Sequence, residues 1–233
     1  MLFDLDGTLR LNSPGSHEMA LRIIAALGHQ IDEETHRAII RWEHAYWADR
    51  DQVLHDKQRC PDPLCFWSSY FARYVEVLSI PPEDAECAAR SLGRYFAEEY
   101  QPTGRLAPGA RDVLLRLRSK GVILGLVSNR PEPLTGVAIE LGILEYFDFT
   151  LAAGQIGRWK PDPAIFEKAL ALAGGVSPTE AIYIGDNYYT DIIGAHRLGI
   201  RPILLDEHQA FREIAGDFLV VKQLSDLAAM IPD

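Results

Sequence analysis

A chain of 233 residues can bury a full core, as one large domain or two modest ones. Its composition, 48% hydrophobic and 24% charged, is that of an ordinary soluble globular protein. The formal net charge of −10 leaves no excess of Lys or Arg to neutralise a phosphate backbone. That excludes nucleic acid as an electrostatic partner but leaves room for a small anion held by local positive charge.

The opening run, Met1-Leu2-Phe3-Asp4-Leu5-Asp6-Gly7-Thr8-Leu9, is a short apolar strand that breaks into two carboxylates two residues apart. Residues i and i+2 of a strand share a face, and Gly7 breaks the regular geometry just after the second acid. Two carboxylates brought that close repel by about 4 kcal/mol at an effective dielectric of 20, so a cation, a proton or catalysis must offset the cost. Inner parallel strands usually run about five or six residues. Only Met1, Leu2 and Phe3 precede Asp4, and the natural start is therefore expected upstream of Met1.

From about His17 to Tyr100 the pattern is helical. His17–Gly28 carries Met19, Leu21, Ile23, Ile24 and Leu27 at helical spacing and ends at a glycine. Asp32–Asp49 continues with Ile39, Ile40, Trp42, Tyr46 and Trp47, and a polar stretch through Pro61 and Pro63 follows. Leu64–Leu78 and Glu83–Tyr100 complete four amphipathic helices, which predict a small bundle. Most of the aromatic residues here, Trp42, Tyr46, Trp47, Phe66, Trp67, Tyr70 and Tyr74, are expected in its core. Cys60, Cys65 and Cys87 have no zinc-like spacing, and their odd number suggests no disulfide framework, so reduced structural thiols are expected. His17, His44 and His55 have no matched partners that would make a metal site.

From Pro108 short β-branched runs alternate with helices. Strands are expected at Val122–Val127, Phe149–Ala152, Ala181–Ile184, Pro202–Leu205 and Phe218–Val221. Helices are expected at Ala110–Lys120, Glu132–Leu141, Asp162–Ala173, Thr190–Leu198 and Leu224–Met230. Alternation of this kind predicts a doubly wound parallel sheet, a Rossmann-like α/β core to which the first strand belongs. The helical bundle is then an insertion: residues 1–14 and 104–233 form the core, and 15–103 a helical cap domain. No segment fits a signal peptide or a membrane span, and the chain is read as cytosolic.

Four strand ends of the α/β part carry complementary polar groups: Asp4, Asp6 and Thr8; Ser128-Asn129; Lys160 before Pro161; and Gly185-Asp186 with Asp191 five residues on. Singly, each is a good turn or cap sequence, and Arg10 and Arg130 beside them read as surface salt-bridge formers. Carboxyl ends of parallel strands converge on one crevice, however, and together the set suits phosphoryl transfer. Carboxylate oxygens bind Mg²⁺, one carboxylate can attack phosphorus, and a second can move the proton. Lys160 and the Ser128 hydroxyl can hold phosphoryl oxygens.

In these four ordered motifs the chain resembles the haloacid dehalogenase-like hydrolase superfamily, and its helical insertion resembles the cap of subfamily I members. The resemblance implies that Asp4 is the nucleophile and Asp6 the general acid/base, with Lys160 beside them. It implies Mg²⁺ held by Asp4, the backbone carbonyl of Asp6, Asp186 and, directly or through water, Asp191. Leu5 and Asn129 through their N–H groups, with Thr8, Ser128 and Lys160, are implied at the substrate phosphate. Dehalogenating members lack an acid at the position of Asp6, so a phosphatase acting on a small phosphorylated metabolite is expected. The alternatives are a phosphomutase of the β-phosphoglucomutase type, a 2-haloacid dehalogenase and a binding module without turnover. Leu9-Arg10-Leu11-Asn12-Ser13 departs from the Leu-Val-Asp-Ser run of many relatives, so roles assigned to that run do not transfer. No oligomeric state is legible.

Overall fold

The structure, a computed structural model, describes residues 1–214 and 216–230; residues 215 and 231–233 of the expected core segment lie outside them. The chain enters through β1 (Leu2–Phe3) and continues into β2 (Arg10–Ser13). Five helices follow: α1 (Ser16–Ala26), α2 (Glu33–Ala48), α3 (Arg50–Arg59), α4 (Pro63–Val77) and α5 (Pro82–Glu98). After β3 (Thr103–Leu106) come α6 (Ala110–Ser119), β4 (Gly125–Ser128), α7 (Thr135–Glu140), β5 (Phe149–Ala152), α8 (Ala153–Ile156), α9 (Pro163–Leu172) and β6 (Ile182–Gly185). A π-helical turn (Tyr188–Ile192) then runs into α10 (Ile193–Arg197), and β7 (Arg201–Leu205), β8 (Leu219–Val221) and α11 (Leu224–Met230) close the chain.

Six strands pair in the order β5-β4-β1-β6-β7-β8, and every pairing is parallel. From β1 the chain builds outward through β4 and β5, then returns to the other side of β1 for β6, β7 and β8. This is the doubly wound α/β fold, and its switch point lies beside β1, where such sheets take ligands. Both faces of the sheet are covered, so successive side chains of one strand enter different cores. Phe3, Leu126 and Ile184 pack with Leu114, Leu134 and Leu224 on one side. Leu2, Val127 and Tyr183 pack with Ile165, Phe166 and Ala195 on the other.

β1 is short, but the Asp4 N–H still donates to the Ile184 carbonyl at 2.8 Å, which carries the ladder one residue further. β4 starts at Gly125 rather than Val122, because the Asp148 carboxylate takes the Leu124 N–H at 2.8 Å and holds that segment outside the ladder. α7 starts at Thr135 rather than Glu132: Pro133 removes a donor and disfavours helical geometry at the residue before it.

Contacts divide the chain into two units, Met1–Leu11 with Gly104–Asp233, and Asn12–Thr103. β2 and β3, the stretches at which the chain passes between them, form a two-stranded sheet. Within the helical unit, α2, α3 and α4 start at Asp32, Asp49 and Asp62, whose carboxylates each accept a backbone N–H of the first turn. Tyr46, Phe66, Tyr70, Phe71, Tyr74 and Phe96 are buried there, whereas Trp47 is 42% exposed, so the aromatic set is not uniformly core.

Two sequence expectations fail in this unit. The bundle has five helices, not four. α3 was missed because Arg-Asp-Gln-Val-Leu-His-Asp-Lys-Gln-Arg has no apolar stripe; its buried anchor is Asp56, which accepts from Tyr46 Oη at 2.9 Å and Gln52 Nε2 at 3.0 Å and pairs with Arg73. Cys60 and Cys65 are joined in a disulfide, leaving Cys87 free and exposed. The turn Cys60-Pro61-Asp62-Pro63 folds the end of α3 against the first turn of α4 and brings their Cα atoms to 5.1 Å. His17 is hydrogen-bonded within the unit: its Nδ1 lies 2.8 Å from Glu43 Oε2 and its Nε2 2.8 Å from His36 Nε2. No helix among the described residues is long and apolar enough to cross a membrane.

Candidate active site

The first strand ends in a tight turn built on one carbonyl. Leu5 O accepts the N–H groups of Leu9 and Arg10 at 2.9 and 2.7 Å, and Thr8 N–H at 3.3 Å. Gly7 makes the turn possible twice over. Its φ is +88°, a left-handed conformation, and a Cβ there would lie 2.2 Å from an Asp186 carboxylate oxygen. The turn therefore delivers Asp4 and Thr8 beside Asp186, which follows the neighbouring β6.

The carboxylates of Asp4, Asp186 and Asp191 each offer an oxygen within 4.8 Å of the others, the one such group of acids, histidines or cysteines among the described residues. Lys160, only 3% exposed, is set among them. Its Nζ donates to Asp4 Oδ1 at 2.6 Å, Asp191 Oδ1 at 2.7 Å and Tyr183 Oη at 2.9 Å. Burial opposes its charge, but Asp191 and Asp4 outweigh burial and hold the ammonium well above the ordinary lysine range.

Asn129 fixes that lysine through its backbone. Its amide donates to the Lys160 carbonyl at 2.9 Å and accepts the Lys160 N–H at 2.7 Å. Asp191 sits on the π-helical turn, where a continuous α-helix from Thr190 was expected; such turns recur at functional sites. Its Oδ2 accepts the Asn187 N–H at 3.0 Å, so the side chain is pinned from both ends. Ser128 ends β4 and is buried. The N–H groups of Leu5 and Asn129 donate to no other described residue. Buried backbone donors normally have partners, and these two suit an incoming anion.

The Gly7 turn brings Thr8, expected at the substrate phosphate, beside Asp186, and its hydroxyl donates to Asp186 Oδ1 at 3.0 Å. Asp6, expected to offer its backbone carbonyl to the metal, has its carboxylate outside the acidic group. It is forked by Arg130, Nε to Oδ2 at 2.6 Å and Nη2 to Oδ1 at 2.8 Å, and approached by Arg10 Nη1 at 3.1 Å. Tyr183 was not anticipated at all. A tyrosine in an apolar strand reads as core, and nothing local signals that its hydroxyl reaches Lys160 and the Val127 carbonyl, the latter at 3.0 Å.

The donor set is three hard carboxylates around one ammonium, a net negative site that fits a hard divalent cation. Without one, burial foremost pushes Asp4 up to about 7, Lys160 opposing and Asp191 adding to the rise. Burial, then Asp4 and Asp191, raise Asp186 well above the usual carboxylate range. Both groups are higher in the folded than in the unfolded chain, so the folded protein keeps protons that the unfolded chain releases above about pH 4. Their stabilising contribution is thus present below that pH and lost as pH rises through the raised folded values, about 7 for Asp4. Added divalent cation is expected to raise the thermal midpoint more at pH 8 than at pH 5. Equal shifts in calorimetry at the two pH values would place the cation elsewhere.

A family profile described as haloacid dehalogenase-like hydrolase matches residues 1–199. The chain is 34% identical over 152 residues to haloacid dehalogenase-like hydrolase domain-containing protein 3 of Homo sapiens, covering 64% of this chain and 60% of that protein. It is 28% identical over 210 residues to a ribulose-1,5-bisphosphate 5-phosphatase of Halopiger xanaduensis, covering 88% of this chain and 84% of the other. The chain thus spans less than two thirds of the human protein's length. Among solved structures, an L-2-haloacid dehalogenase shares the fold with a TM-score of 0.58 and 21% identity, over 99% of this chain and 96% of that one.

Proposed function

With residues 1–199 inside that profile, the chain belongs to the haloacid dehalogenase-like hydrolases, and from this premise we propose that it is a Mg²⁺-dependent phosphohydrolase acting on a small phosphorylated metabolite. The observation that carries the reading is the division of labour between two acids of one turn. Asp4 is buried against Lys160 and the acidic group, whereas Asp6, two residues on, is kept out of that group and 40% of its side chain is exposed. This difference supports Asp4 as the nucleophile and Asp6 as the proton carrier.

In this reading the Asp4 carboxylate forms a bond to phosphorus as the ester P–O bond breaks, and the leaving oxygen takes a proton from Asp6. Water then attacks the aspartyl-phosphate, its proton passes to Asp6, and inorganic phosphate leaves. Lys160 orients Asp4 and, with Ser128 and the N–H groups of Leu5 and Asn129, receives the non-bridging oxygens. Asp4, Asp186, the Asp6 carbonyl and, directly or through water, Asp191 would hold Mg²⁺. When bound, the ion offsets the charge that these acids and the phosphoryl group bring together. Likeness to a dehalogenase is a likeness of fold, and the acid at Asp6 favours phosphoryl chemistry.

A panel of sugar phosphates, phosphoglycolate and nucleoside monophosphates with Mg²⁺ tests the reading. Free phosphate should appear from at least one ester, stop with a chelator and resume when Mg²⁺ is restored. Isomerised sugar phosphate without free phosphate would make the protein a mutase, and halide release from a 2-haloacid without Mg²⁺ would make it a dehalogenase.

A further inference from the structure

Arg130 follows Ser128 and Asn129 at the end of β4, and its backbone is anchored: its carbonyl accepts the Gly154 N–H at 3.0 Å. A Cβ on Gly154 would lie 2.0 Å from the Pro131 carbonyl oxygen, so the two segments pack backbone to backbone. The guanidinium projects from this fixed point and forks both oxygens of Asp6, while its side chain stays 32% exposed. Arg10 approaches the same carboxylate from β2. Among the described residues the Arg130 guanidinium has no hydrogen-bond partner besides Asp6.

Paired parallel N–H···O bonds are the geometry with which a guanidinium reads a carboxylate or a phosphate. In the proposed reaction Asp6 must give a proton to the leaving oxygen and take one from water. Turning either oxygen towards the ester or the water gives up a bond to Arg130. Another anion at Arg130 makes good that loss, because it fills a bidentate fork equally well. The pair is partly exposed, so a bound anion can reach the fork and exchange with Asp6.

We propose that Arg130, with Arg10 beside it, recognises a second anionic group of the substrate, a carboxylate or a further phosphate carried close to the ester oxygen, and that this exchange releases Asp6 towards the leaving group. The favoured substrates are then phosphomonoesters with an acidic leaving portion. The inference rests on the phosphohydrolase reading and specifies its substrate class. Two positive side chains also give an acidic protein a local point at which a multiply charged anion can dock.

The test compares three esters on one two-carbon skeleton: phosphoglycolate, ethylene glycol bisphosphate and ethyl phosphate. Wild type is expected to favour the two with a second anion over ethyl phosphate in kcat/KM by about tenfold or more, the size of a lost charged hydrogen bond. The same ratio is read from Ki against the best panel substrate if the esters turn over slowly. In Arg130→Ala the preference should collapse towards one, and Arg130→Lys, which keeps the charge and loses the fork, should retain part of it. The carboxylate and phosphate arms show which anion is read. No wild-type preference, or a preference unaltered in Arg130→Ala whatever the absolute rates, overturns the inference. Failure of wild type to release phosphate from any ester is a different result and overturns the phosphohydrolase reading itself.

Discussion

Asp4→Asn is expected to lower phosphate release by a factor on the order of 10⁴ or more, as loss of a nucleophile does elsewhere, without lowering the thermal midpoint. The amide keeps the shape of the side chain and an oxygen to accept from Lys160, whose ammonium retains Asp191 and Tyr183. What it loses is the anionic nucleophile. It also removes one of three like charges from a buried group, the charge whose burial pushes Asp4 up to about 7, so unfolding should not become easier. Steady-state phosphate release and calorimetry together make the check. A rate within tenfold of wild type would leave Asp4 without its role.

Lys160→Ala should damage both rate and fold. The lysine is the ammonium that Asp4 and Asp191 share, and removing it leaves three carboxylates facing one another in a buried site. Breaking a buried pair in this way costs about 3–5 kcal/mol, a fall in midpoint on the order of 10 °C for a chain of this length. Turnover should fall by about 10²–10³, the scale of one lost oxyanion donor. Divalent cation should restore part of the midpoint, since it replaces the charge, but little of the rate, since it does not replace the hydrogen bonds. An unchanged midpoint would show that the three-way pairing of Lys160 contributes nothing to the folded state.

The α/β part is legible because Asp4, Ser128 and Asp186 each follow an apolar run of the kind that forms a buried parallel strand. Phe3-Asp4, Val127-Ser128 and Gly185-Asp186 all announce a strand end turning polar. What stayed hidden depends on where side chains go once the chain has turned. Nothing local shows that the Thr8 hydroxyl donates to Asp186 or that the Asp6 carboxylate is held by Arg130, 124 positions away. Tyr183 carries no local mark because its partner, Lys160, is defined only by the packing of β6 against the loop before α9. In the helical unit, a helix with no apolar stripe and a disulfide across five residues both fall outside what periodicity and cysteine parity can report.

The pairing of β2 with β3 bears on how this architecture can diversify. Residues Asn12–Thr103 leave and rejoin the α/β unit through one ribbon, and the residues assigned to chemistry all belong to segments outside them. The stem closes the excursion whatever lies beyond it. Whole helices can therefore be lengthened, traded or lost in the excursion without disturbing the reactive carboxylates. Such a chain can acquire new substrates by grafting while its chemistry is inherited intact.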